Sequence, residues 1–131
     1  MRLHTALLTS LVFVGTSTHS QTRASLDGSW AGTVKETNGN QTQVELKVAN
    51  AAGAWRITLA SGAPSRNQNP CANRDLPISV RTNSATDLVI QIEGAQVIRG
   101  CLNQTASFKS ADGNSLEGSF ADGRVVNLKR H

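Results

Sequence analysis

The chain has no tyrosine, two tryptophans and three phenylalanines, so aromatics make up only 4% of its 131 residues. That scarcity argues against a stacking platform for single-stranded nucleic acid, a carbohydrate-stacking surface and an aromatic hot spot for protein binding. Charge is also sparse: 17% of residues are charged, with 13 Lys+Arg against 9 Asp+Glu and a net charge of +4. A disordered charged tail is excluded, and the modest, scattered positive charge gives no electrostatic footprint for nucleic acid. Two cysteines exclude a cysteine-rich knot, and the length leaves room for one domain rather than a multidomain enzyme.

Histidine is scarcer than its count of three suggests. Arg2 and His4 form a short positive start, Ala6 to Val14 is a mostly apolar run, and Gly15-Thr16-Ser17-Thr18-His19-Ser20 follows with small and polar residues. This is the layout of a secretory signal peptide, and the run is too short to span a bilayer. Residues 1–20 are therefore expected to be a leader, cleaved after Ser20 or as late as Ala24, ahead of a single domain over 21–131. No other segment is apolar enough to form a transmembrane span, so the mature protein is expected to be periplasmic or secreted. Cleavage removes Arg2 and no acidic residue, lowering the net charge from +4 to +3. It also removes His4 and His19, leaving His131.

Catalysis by imidazole needs a positioned histidine, and a terminal one frays. No His or Cys cluster has the spacing of a zinc site, and no cofactor is implied. Paired-carboxylate hydrolysis needs two acids facing one cleft. Asp112 and Asp122 sit in turn dipeptides, Glu45 and Glu93 on outward faces, and Asp75 and Asp87 read as loop residues without partners. No catalytic residue is assigned. A Ser/Lys arrangement leaves no local signature, so a hydrolase of that kind stands as a third reading behind two binding ones.

Export makes the cysteines legible: two in an oxidising compartment are expected to pair as Cys71–Cys101, with two free thiols as the alternative. The loop so closed has about 31 residues, for which the chain-entropy account gives roughly 3–4 kcal/mol. Asn-x-Thr sequons at Asn40 and Asn103 matter only in a pathway that glycosylates.

From Leu26 onward apolar residues recur at every second position, the period of a half-buried strand. Val44, Leu46 and Val48 alternate with Gln43, Glu45 and Lys47, and the same pattern runs through Trp55-Ile57-Leu59, Leu76-Ile78-Val80, Leu88-Ile90-Ile92, Leu116-Gly118-Phe120 and Val126-Leu128. Strands are expected at about 29–36, 41–49, 54–60, 76–82, 87–93, 96–99, 102–110, 115–120 and 124–130. Residues 96–110 read as one strand bulged near Gly100, which returns eight strands. Asn38-Gly39, Asp112-Gly113 and Asp122-Gly123 are hairpin dipeptides, and Glu93-Gly94-Ala95 and Asn83-Ser84-Ala85 supply two further turns. The expected fold is an all-β up-and-down antiparallel meander closing as a small barrel, with a sandwich as the alternative.

One connection is long. Ser61 to Asp75 is polar and contains Pro64, Arg66, Pro70, Cys71 and Arg74, and loops of that length are often functional.

Leu26-Asp27-Gly28-Ser29-Trp30 resembles the Gly-x-Trp that starts the first strand in calycins, the small antiparallel barrels of lipocalin and avidin type. The resemblance implies a basic residue from the last strand packed over that tryptophan at the closed end. Arg130, in phase with Val126 and Leu128, fits the role. The polar biotin contacts and later tryptophans of avidins have no counterpart, so biotin binding is not implied. Two binding functions follow as expectations. The first is an interaction module or inhibitor, a monomer, using Arg66 and Arg74 of the long loop against an anionic surface of a partner protein. The second is a calycin-like carrier of one small apolar ligand.

Overall fold

The computed structural model describes Gly15, residues 25–59 and residues 69–131. Apart from Gly15, the leader expected at 1–20 lies outside these residues, as do its alternative cleavage points and Pro64 and Arg66 of the long connection.

Among the described residues the alternating pattern produces eight strands: β1 (Gly28–Lys35), β2 (Gln41–Ala49), β3 (Ala52–Thr58), β4 (Asp75–Asn83), β5 (Asp87–Ile92), β6 (Gln104–Lys109), β7 (Ser115–Phe120) and β8 (Val125–Arg130). Each pairs antiparallel with its sequence neighbours, and β8 returns to pair with β1, closing a barrel rather than a sandwich. In β2 the period is plain, with Val44, Leu46 and Val48 buried and Gln43, Glu45 and Lys47 exposed. A barrel has no free edge strand, so the backbone donors and acceptors of every strand have a neighbour on both sides.

Inward side chains fill the interior. Trp30, Trp55, Phe108 and Phe120 are all buried, with branched aliphatics between them, and Trp55 meets Phe120 edge to face at 5.7 Å. Such large rings need small residues opposite. Gly118 of β7 faces inward beside Phe108, and a Cβ there would collide with that ring and with the Ser107 carbonyl.

One end of the barrel is closed by short connections at 50–51, 84–86 and 110–114. Leu26, fully buried, plugs it. The Trp30 indole N–H donates to the Leu26 carbonyl at 3.0 Å, and the Leu26 amide donates to Asn83 Oδ1 at 2.8 Å. Arg130 lies 4.3 Å over the Trp30 ring. Its Nη1 donates to the Asp27 carbonyl at 2.8 Å, while Nη2 and Nε donate to the Gly113 carbonyl at 2.8 and 3.2 Å. Gly28, at φ 136°, leaves the space that Nη1 occupies, which explains glycine two residues before the tryptophan. One guanidinium thus joins the start of β1, the end of β8 and the β6–β7 turn.

Four expectations require correction. Residues 96–99 are not a strand and there is no bulged strand through Gly100. Gly94–Gln96 form a 3₁₀ turn in which the Val97 and Ile98 amides both donate to the Gly94 carbonyl. Glu93-Gly94-Ala95 is therefore not a hairpin turn but the start of a longer connection over 93–103. The cause is packing: Gly94 lies so close to the Cys101 sulfur that a Cβ could not fit, so the chain coils there instead of extending. The register shift falls in β4 instead, between Val80 and Thr82. Asp75 and Asp87 are not unpartnered loop residues. Asp75 opens β4 and meets Arg56 at 3.4 Å, and Asp87 opens β5 and accepts from Lys109 Nζ at 2.6 Å. These partners lie 19 and 22 residues away, across strand pairs.

Two predictions follow from the closed end and its turns. Arg130→Met removes a cation–π contact and three hydrogen bonds to carbonyls, and should cost about 1–3 kcal/mol in urea unfolding. Lys129→Met, at the exposed neighbouring position, should stay within about 0.5 kcal/mol of the parent. The second concerns pH. The amides of Asn114 and Ser115, each donating to Asp112 Oδ1 at 2.9 Å, hold this carboxyl below its ordinary value. A carboxylate depressed in the folded state stabilises fully above its unfolded pKa and loses that contribution as pH falls through the folded one. Asp112→Asn should therefore show a shallower fall in melting temperature than the parent as the solution is acidified below the ordinary carboxylate range.

Candidate binding end of the barrel

The opposite end carries the remaining connections: 36–40, 59–74, 93–103 and 121–124. The two long ones are joined by the expected disulfide. Cys71 and Cys101 are bonded, with Cα atoms 5.3 Å apart, both buried, and no free cysteine remains. The segment after it is laid along the end of β3. Ala72 forms a parallel bridge with Ile57, the Asn73 amide donates to the Ile57 carbonyl at 2.6 Å, and the Leu59 amide donates to Asn73 Oδ1 at 3.1 Å. Asn73 holds the left-handed conformation (φ 58°) that turns the chain into β4.

Arg74, a predicted binding residue, follows that turn and is exposed beside the disulfide. Its predicted companion Arg66 lies outside the described residues, so nothing places the two together. Sequence reasoning missed Arg99, exposed in the 93–103 connection, and Leu102, whose side is 72% solvent-exposed next to Cys101. Val97 (46%) and Val125 (45%) are the other large exposed apolar residues among those described, and both also lie at this end. Strand parity concealed Val97 and Leu102, since it applies only where the chain is extended; Val125 sits on the outward face of β8, out of phase with buried Val126 and Leu128.

Arg124 lies close in sequence to Lys129, Arg130 and His131. β8 separates them: Arg124 precedes it at the long-loop end, and the other three lie at the closed end. Its side chain is only 15% exposed. The guanidinium lies 4.3 Å over Phe120, Nε donates to Asp122 Oδ2 at 2.9 Å, and Nη2 donates to Gln104 Oε1 at 2.7 Å. Nη1 stands 3.8 Å from Glu36 Oε1, too far for a hydrogen bond. Arg124 and Glu36, with Trp55, Ile57, Asn69 and Phe120, line a cavity of about 40 Å³ at the barrel mouth. A water needs about 10–15 Å³ of such space, so the cavity suits a group of roughly three heavy atoms.

No helix among the described residues is long and apolar enough to cross a membrane. In comparisons with known proteins no family model matches this chain, and neither does any curated protein or solved structure. The class defined by the fold is the eight-stranded up-and-down antiparallel barrel with one disulfide.

Replacing both Cys71 and Cys101 by serine should lower stability by roughly 3–4 kcal/mol in equilibrium urea unfolding, the loop-closure contribution of this crosslink. Reducing the parent protein should move its unfolding midpoint in the same direction.

Proposed function

We propose that the protein is an exported, non-catalytic binding module that seats a partner protein on the long-loop end of its barrel. One observation carries this reading: the three large exposed apolar residues among those described share the end where the disulfide joins the long connections. Loops carried on a rigid scaffold are the usual place for binding groups, and apolar and arginine side chains sharing one end suit a partner interface. Arg74 and Arg99 give the two disulfide-joined connections exposed positive charge, and Arg66 belongs to the connection of Arg74 in sequence, which supports an anionic partner surface against these connections. The leader-like N-terminus and the disulfide support a periplasmic or secreted location. Arg130 stacked over Trp30 at the closed end is the arrangement that a calycin-like reading expects. Carriage of a whole apolar ligand has less support, because drug-sized ligands occupy pockets of about 300–1,000 Å³, and the cavity at the mouth measures about 40 Å³.

The test is capture by cross-linking from cell-envelope and medium fractions. An Arg74→Ala/Leu102→Ser variant should lose about tenfold or more of the captured partner, the scale of a truncated hot spot. Lys129→Ala at the closed end should capture as the parent does. Equal capture by all three proteins overturns the reading.

A further inference from the structure

The mouth cavity presents hydrogen-bonding groups that have no partner among the described residues. A guanidinium has five N–H donors. In Arg124, Nε is taken by Asp122 and one Nη2 hydrogen by Gln104, so both Nη1 hydrogens and the second on Nη2 have no hydrogen-bond partner among the described residues. Across from Nη1, Glu36 Oε1 is an acceptor at 3.8 Å, close enough to share a ligand with Nη1 but not to bond with it. Glu36 is set there by the β1–β2 turn, where its amide donates to the Asn40 carbonyl and its own carbonyl accepts from Gly39. Donor and acceptor thus stand side by side, with Trp55, Ile57 and Phe120 as apolar walls.

Electrostatics select among ligands. Two carboxylates, Asp122 and Glu36, flank the single guanidinium, leaving the site with a surplus negative charge. A carboxylate ligand would meet Glu36 as a like charge in a partly desolvated mouth, and an ammonium would meet Arg124. A neutral planar group bearing an acceptor and a donor meets neither penalty, and three heavy atoms match the cavity.

We propose that this mouth binds a neutral amide, its carbonyl oxygen accepting from Arg124 Nη1 and its N–H donating to the Glu36 carboxylate. The site takes a small free amide or the side-chain amide of a partner's Asn or Gln, so it stands whether or not the partner reading does.

Trp55 lines the cavity and Trp30 lies at the far end against Arg130, so the two indole N–H signals of the ¹⁵N-labelled mature protein serve as probe and control. Titration with propionamide should move the Trp55 and Arg124 Nε signals saturably, with a dissociation constant on the order of millimolar, and leave Trp30 still. Propionate should bind roughly five- to tenfold more weakly, the cost of one unmatched hydrogen-bonding group. Glu36→Gln removes the like charge and supplies a donor, so it should reverse that preference while the Trp30 signal reports an intact fold. N-acetyl-glutamine methylamide tests the source: binding tighter than propionamide assigns the site to a partner's side chain, and weaker binding assigns it to a free amide. The proposal is overturned if no saturable shift occurs, if propionate binds as well as propionamide, or if Glu36→Gln leaves the order unchanged.

Discussion

Pairing of β8 with β1 is the constraint on which the remaining structure depends. Val34 opposes Val126, Gly32 opposes Leu128 and Trp30 opposes Arg130, so the register of the first strand against the last is set by which residues point inward on both. A slip of one residue would turn Trp30 and Leu128 outward and bring Ala31 and Asn127 in. Closure propagates to every other pair, because a barrel of fixed strand number leaves a fixed interior to fill. Gly118 beside Phe108 is one result, where a missing side chain on one strand makes room for a ring on the next.

Closure also makes the two ends unequal. An up-and-down meander sends its connections alternately to opposite ends, and here one end received only short ones. Among the described residues Leu26 and Trp30 cover the core there, and Arg130 ties both to the neighbouring turn through backbone carbonyls. At the other end, long connections would cost conformational freedom without a core of their own. The Cys71–Cys101 bond restrains them, and Asn73 stitches the segment following it to β3. The end free of the plugging task is the one that carries exposed Leu102, Val97, Arg74 and Arg99.

The sequence made legible whatever depends on local periodicity. Val44-Leu46-Val48 and Leu88-Ile90-Ile92 declare their faces by period two, Asp112-Gly113 and Asp122-Gly123 declare their turns, and two cysteines behind a leader-like N-terminus point to a bond. It concealed whatever depends on neighbours brought together by closure. Ile98 and Leu102 look like strand residues because their spacing is even, yet contact of Gly94 with the disulfide coils the chain there. Lys109 meets Asp87 only because β5 pairs with β6 in a register that sets these two residues opposite each other. The candidate site was half visible: the long polar connection and Arg74 stood out, while Arg124 and Glu36 were hidden, since their juxtaposition requires β8 beside β1.

The two stacked arginines show how position, rather than residue type, divides structural from binding chemistry in this barrel. Each guanidinium lies 4.3 Å over an aromatic ring at one end of β8. Arg130 directs its donors at two backbone carbonyls, acceptors that cannot move without moving the strands, so its role is cohesion. Arg124 directs its donors at the side chains of Asp122 and Gln104, which leaves Nη1 turned toward a cavity, 3.8 Å from Glu36 Oε1 and without a hydrogen-bond partner among the described residues. A polar group half-surrounded by apolar walls gains from a ligand that matches its hydrogen bonds better than the water it displaces. A fold that uses one such clamp to close itself thus repeats the arginine-over-ring arrangement at its other end, where the guanidinium faces the mouth cavity instead of backbone carbonyls.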